Sequence, residues 1–211
     1  MMEWAEIPIE WRKCFEIAWE SFQEGARPIG AIVVNGQGKI ISDGKSSVFQ
    51  ETSRGVIAHN ELAHAELNAL LKIDNRIHKN VKDYTLYTTM EPCPLCFSSL
   101  YMSGVRNLAY AAKDKYGGST NLVKTTPYLS KKSIHIHGPV PNLDNLSILL
   151  HIYYDLELDY EKGPRVHSEM EKDYPFAVEL ARTWSKDNHM RTFTRIEDVY
   201  EALQNHFSLL S

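Results

Sequence analysis

His64, Glu66, Cys93 and Cys96 are the residues of this chain whose types and spacing are suited to chemistry. One imidazole and two thiolates make a donor set that suits Zn²⁺. Three protein ligands leave a fourth position for water, which marks a catalytic zinc rather than a structural one. Cys93 and Cys96 stand at i and i+3, so they share a face once a helix begins there. Pro92 lacks an N–H and fits the entry to that helix. The partial positive charge at a helix start favours thiolates over thiols. His64 and Glu66 are two positions apart and would diverge in mid-helix, but at a first turn both reach around the end toward one ion. Zn²⁺ with two thiolates and a neutral imidazole is formally neutral, so it acidifies water less than a three-histidine site. A carboxylate must then take the proton, and Glu66 is the candidate.

An isolated C-x-x-C is more often redox-active, structural or incidental. The ordered combination with H-x-E, and a proline before the first cysteine, makes the catalytic reading specific. His59 is the alternative fourth ligand of a structural zinc, but five residues from His64 it would point elsewhere on a helix.

The pattern H-x-E … P-C-x-x-C is the one found in zinc-dependent nucleobase deaminases. Four segments extend the likeness. Arg27-Pro28-Ile29-Gly30-Ala31-Ile32-Val33-Val34 is similar to a first strand with a substrate-facing glycine. Ala63-His64-Ala65-Glu66-Leu67-Asn68-Ala69-Leu70 is similar to a zinc helix. Tyr84 to Cys96 is similar to a strand and cysteine helix, and Val105 to Asp114 to the next strand and its loop. Over residues 8–158 the chain thus resembles the cytidine/deoxycytidylate deaminase superfamily, in the branch with tRNA adenosine deaminases and guanine deaminases. The resemblance implies one Zn²⁺ per chain, hydrolytic release of ammonia, and an oligomer. It places substrate contacts at Ile29, Gly30, Ala31, Ser46, Ala65, Glu91, Pro92 and Asp114. Ser46 departs from the branch, which usually carries a base-holding asparagine there. A serine reaches less far and offers only a hydroxyl.

Net charge is −4, from 23 basic and 27 acidic residues. A tRNA binder needs a basic surface, because phosphate contacts dominate affinity. The charge therefore favours a free nucleobase, nucleoside or nucleotide as partner over tRNA. A tRNA adenosine deaminase is the alternative within the class, and a binding protein with a structural zinc is the alternative outside it. The first residues lack a basic start followed by an apolar run, and no apolar stretch approaches membrane-spanning length. Two of three cysteines are assigned to zinc, and Cys14 sits in an apolar helix, so the expectation is a reducing, cytoplasmic setting without disulfides or membrane contact.

The elements that must position these residues alternate β and α. An amphipathic helix spans 8–24, with Trp11, Phe15, Ala18, Trp19 and Phe22 on its apolar face. Strands are expected at 28–34 and 39–42, joined by the turn Asn35-Gly36-Gln37-Gly38. A polar loop, 44–58, suited to substrate contacts, leads to a zinc helix at 60–73. Then come a strand at 84–90, a helix at 93–103, a strand at 107–112 and a flexible loop at 113–121. A fifth strand at 133–140 puts Ile134 and Ile136 on one face, with His135 and His137 solvent-facing on the other. An apolar helix covers 143–158. This order predicts a three-layer α/β/α sandwich around a five-stranded mixed sheet, with residues 1–160 as the zinc-dependent domain. Lys162-Gly163-Pro164-Arg165 is expected to be a linker. Beyond it, residues 161–211 are expected to form a helical extension packed on the core or on a partner subunit. Pro175 opens one helix through 186. Thr194-x-x-Glu197 caps another, with Ile196, Val199, Tyr200, Leu203, Phe207 and Leu210 along one stripe. That stripe and the helix at 143–158 exceed what one sheet face needs, which predicts a homodimer.

Overall fold

Trp11, Phe15, Ala18, Trp19 and Phe22 recur at helical spacing and form the buried side of α1 (Ile9–Gln23). The computed structural model that shows this describes residues 2–50, 57–159, 161 and 163–210. Five strands make one sheet: β1 (Gly30–Val34), β2 (Ile40–Lys45), β3 (Thr85–Met90), β4 (Asn107–Ala112) and β5 (His135–His137), in the order β2-β1-β3-β4-β5. β1 runs antiparallel to both β2 and β3, while β3–β4 and β4–β5 are parallel, so the sheet is mixed as expected. The β1–β2 turn is closed by the Asn35 carboxamide, which accepts the N–H groups of Gln37 and Lys39 at 3.0 and 2.9 Å.

Helices cover both faces. α2 (Ala65–Leu70) and α3 (Pro94–Ser103) pack Ala65, Ala69, Phe97 and Leu100 against Ala31, Val33, Leu86 and Leu108. α1 and α4 (Leu143–Glu157) cover the opposite face. Two glycines set how close these layers come. A Cβ on Gly30 would lie 2.1 Å from the Cys14 carbonyl oxygen in α1, and one on Gly44 the same distance from the Ala65 carbonyl in α2. Only glycine allows that approach.

Three elements differ from expectation. β5 pairs over three residues rather than eight, and all three are exposed, Ile136 included. An edge strand with no covering helix gains little from apolar alternation, so pairing stops early. α2 is shorter than 60–73 because His64 and the residues before it take extended or turn conformations. The expected linker instead opens α5 (Gly163–Glu171), with Lys162 outside the described residues. Pro164 suits a helix start, and Val166, His167 and Met170 are buried.

α6 (Pro175–Ser185) packs along α4. α7 (Ile196–Leu210) lays Val199, Tyr200 and Leu203 into the core shared with α1 and α4, and the Leu210 side chain lies outside the described part. The Trp19 indole N–H donates to the Thr194 carbonyl at 3.0 Å, tying α1 to the start of α7. No helix among the described residues is long and apolar enough to cross a membrane.

Candidate active site

Two helix starts meet beyond the carboxyl end of β3, where open α/β sheets hold their ligands. His64 is the residue just before α2, and Cys93 holds the same position at α3, with Pro94 rather than Pro92 at the first helical turn. That places Cys96 one turn into α3. Both residues before the helices have extended backbone, which turns their side chains back over the helix ends.

The three donor atoms converge. His64 Nδ1 lies 3.5 Å from Cys93 Sγ and 3.4 Å from Cys96 Sγ. Zn–S bonds of about 2.3 Å and a Zn–N bond of about 2.0–2.1 Å give a tetrahedral N···S edge of about 3.6 Å, so the cluster fits the ion. Among the described residues no fourth His, Cys, Asp or Glu joins these three within 4.8 Å, and His59 is not part of the group. The thiols already share charge. Cys93 is pushed down to about 4, first by the Cys96 thiol beside it and then by His64, while Cys96 is pushed up by Cys93 and by burial. A metal held there would need both sulfurs as thiolates and the imidazole neutral.

Glu66, in the first turn of α2, is 4% exposed. Its Oε1 accepts the Thr88 hydroxyl at 3.1 Å, and its Oε2 lies 3.3 Å from Cys96 Sγ. Burial pushes its carboxyl above the usual range, raising its proton affinity. Thr88 was silent in the sequence because nothing marks which threonine of β3 faces the helix.

His64, Ala65 and Glu66 form one wall of a cavity of 540 Å³, a size typical of small-molecule sites. Arg27 and Ile29 enter from the approach to β1, Ser46, Val48 and Phe49 from the loop after β2, and Tyr154 and Leu158 from the end of α4. Ile29, Ser46 and Ala65, three of the expected contact residues, therefore line this cavity. Residues 51–56 of the loop expected to carry substrate contacts lie outside the described residues; its described ends are pinned by Asn68, whose carboxamide bonds the backbone of Lys45 and Ile57.

Five expected contact residues lie elsewhere. Gly30 and Ala31 are buried between α1 and the α2 layer, and Gly30 serves helix packing. Glu91 spends its carboxylate on the following loop, accepting the Asp114 N–H at 3.2 Å, the Thr120 N–H at 3.1 Å and the Thr120 hydroxyl. Asp114 in turn accepts the N–H groups of Tyr116 and Gly117 at 2.8 and 2.7 Å, and the Pro92 carbonyl accepts Ser119 N–H at 2.9 Å. These three residues clamp the 113–121 loop, which the paired glycines had suggested was flexible.

A zinc-fitting triad with a buried carboxylate beside it, at the end of a mixed α/β sheet, defines a metal-assisted hydrolase site. Residues 10–112 match the family described as the cytidine and deoxycytidylate deaminase zinc-binding region. The tRNA-specific adenosine deaminase of Rickettsia bellii is 31% identical over 110 residues, which are 51% of this chain and 71% of that protein. A cytosine deaminase of Candida albicans is 26% identical over 106 residues, 50% of this chain and 66% of that protein. The matches thus span about half of this chain and about two thirds of the relatives. A solved guanine deaminase from Nitrosomonas europaea shares the fold with TM-score 0.52 and 22% identity, covering 69% of this chain and 82% of that one. The chain belongs to the cytidine and deoxycytidylate deaminase family, which carries a zinc-binding region, and His64, Cys93 and Cys96 form a group that could hold a metal ion.

Proposed function

We propose that the chain is a zinc-dependent hydrolase that removes the exocyclic amine of a nucleobase, nucleoside or nucleotide and releases ammonia. The observation that carries this reading is Glu66, a buried carboxylate placed between the metal triad and a ring-sized cavity. A structural zinc needs no such neighbour.

Zinc, when held by His64, Cys93 and Cys96, supplies a Lewis acid that makes water nucleophilic near neutral pH. The chain's own groups do the rest. Water adds to the amine-bearing carbon, and Glu66 accepts its proton. The same carboxyl passes protons to the ring nitrogen and to the departing amine, so ammonia leaves as a neutral molecule. The Thr88 hydroxyl holds Oε1 and fixes which oxygen faces the cavity. Ile29, Val48 and Phe49 provide apolar faces for a planar ring, and the Ser46 backbone is anchored between Ile29 and Ser21.

The relatives named as tRNA-specific support a second reading, A-to-I deamination of tRNA. The acidic balance of the chain opposes it. Ammonia release should be screened over free bases, nucleosides, nucleotides and a tRNA anticodon stem-loop at matched low salt. Release from small substrates is the expected result. Reaction with the stem-loop alone, weakening steeply with salt, would establish the tRNA reading, and silence across the panel would end the enzymatic one.

A further inference from the structure

Charge is spread unevenly along the chain. Residues 92–143 carry Arg106, Lys113, Lys115, Lys124, Lys131 and Lys132 against Asp114 alone, in a chain whose net charge is −4. Three of these cations gather around two tyrosines at the end of α3. Tyr101 stands in the last turn of that helix, and Tyr128 in the loop between β4 and β5. Their rings are 5.4 Å apart, and the Tyr101 hydroxyl donates to the Tyr128 carbonyl. Lys132 Nζ lies 4.6 Å from the centre of the Tyr101 ring and the Arg106 guanidinium 6.0 Å from it. Lys131 Nζ lies 5.8 Å from the centre of the Tyr128 ring. Tyr101 is buried, but Tyr128 is 47% exposed, and its hydroxyl donates to Sδ of the exposed Met102.

Part of this arrangement serves the fold. Lys132 donates to the Tyr101 carbonyl at 3.2 Å and Arg106 to the Val105 carbonyl at 2.6 Å, so both satisfy backbone at the end of α3. Neither the charge of Lys131 nor the exposed ring of Tyr128 is needed for that. Among the described residues, no carboxylate pairs with Arg106, Lys131 or Lys132 within 4.0 Å. Burial, and then the Arg106 charge, hold the Lys132 ammonium below the usual lysine range. Like charges gathered without a counter-charge make a field that attracts anions from outside. Cations set beside an exposed aromatic ring fit a chain in which phosphates alternate with flat bases. An acidic peptide brings no flat groups for the ring, and a membrane surface calls for a broader apolar face than Tyr128 and Met102 give.

We propose that the surface formed by Arg106, Tyr128, Lys131 and Lys132 docks single-stranded nucleic acid, with the cations on its phosphates and Tyr128 stacked on a base. This surface lies at the far end of α3 from the metal triad, because Tyr101 is eight residues beyond Cys93, about 12 Å along the helix. A strand held there is a partner of the protein and not the group in the cavity. The proposal therefore stands apart from the deaminase reading and from the choice of a small substrate.

Fluorescence anisotropy of the full, zinc-loaded chain tests it, with labelled unstructured RNA and DNA of about ten nucleotides. At least one of the two should bind at low salt. The logarithm of its binding constant should fall against the logarithm of salt with a slope of about −2, as three phosphate contacts to a single strand require. Tyr128→Ala should weaken binding about tenfold, whereas Tyr128→Phe, which keeps the ring, should bind like wild type. Lys131→Gln should make the slope shallower by about 0.7. The Lys131 side chain is exposed, so this variant decides the matter even if Tyr128→Ala fails to fold. No binding of either oligonucleotide at low salt overturns the proposal. So does undiminished affinity in folded Tyr128→Ala, or an unchanged slope in Lys131→Gln. Equally tight binding of a polyglutamate peptide or of phosphatidylserine vesicles overturns it too, in favour of an acidic protein or a membrane.

Discussion

The cavity is held at two ends by opposite means. At the zinc end, helix starts aim His64, Cys93 and Cys96 at one point, and every side chain there has a partner within 3.5 Å. At the arginine end, a cation reaches the cavity from a loop, and its carboxylate partner Asp155 sits buried in α4, 2.8 Å away. The first end is built by short-range backbone geometry. The second depends on α4 packing against the sheet and on α5 and α6 packing against α4. Chemistry common to a family sits where local geometry makes it reliable. Selection among substrates can sit where packing is free to vary.

Glu66→Gln gives the largest expected effect and tests the zinc end. Turnover should fall by about 10⁴-fold, the upper range for lost acid–base help, while metal analysis still finds one zinc per chain. The mutation keeps the shape and removes the proton carrier. Near-normal turnover would take Glu66 out of the mechanism.

Zinc itself comes next. Free zinc at a thousand times its Kd should stabilise the fold by about 4 kcal/mol, and the gain should vanish in Cys96→Ser. Thermal unfolding with and without chelator measures it. Chelator-insensitive unfolding would mean that the triad holds no metal in solution.

At the arginine end, Asp155→Ala leaves Arg27 without its buried partner. Breaking a buried pair costs about 3 kcal/mol at the low end of the usual range, and Arg27 keeps some water contact, which places it there. Urea unfolding reads this directly. A loss below about 1 kcal/mol, the scale of an exposed ion pair, would mean that the two ends are not as different as their burial suggests.

The same contrast governs what could be read from the chain. The metal triad and Glu66 are legible because H-x-E and C-x-x-C are contiguous, and the start of a helix fixes where their side chains go. The five-stranded mixed sheet is legible from the β–α alternation, since each expected strand exists, although β5 is cut to three residues. Arg27 and His151 stand 124 positions apart, and no local pattern announces their meeting. α5 hid behind Gly163-Pro164, which resembles a break, and too few apolar residues follow to show a helical period. Glu91 and Asp114 were placed at the substrate by the resemblance, which does not say that their carboxylates turn to the neighbouring loop.

The smallest effect should appear in the pH dependence of stability, again at the arginine end. His151 is 8% exposed, and burial, followed by the Arg27 charge, pushes its imidazole down to about 3, against a weaker opposing pull from Asp155. The folded protein therefore keeps this ring neutral throughout ordinary pH, whereas the unfolded chain protonates it near 6.5. As pH falls through that value, the unfolded state takes up a proton that the folded state refuses, and stability is lost. Asp155 is held below its usual value, so its own contribution is lost only at lower pH. Between pH 7 and pH 5 the His151 contribution comes to about 2 kcal/mol, at roughly 1.4 kcal/mol per unit below 6.5. Urea unfolding of wild type and His151→Gln at both pH values isolates it, because other titrating groups contribute equally to both proteins. The wild type should lose about 2 kcal/mol more than the variant. Equal losses would mean that His151 accepts a proton in the folded state, and that Arg27 is balanced by Asp155 without excluding a second positive charge from its side.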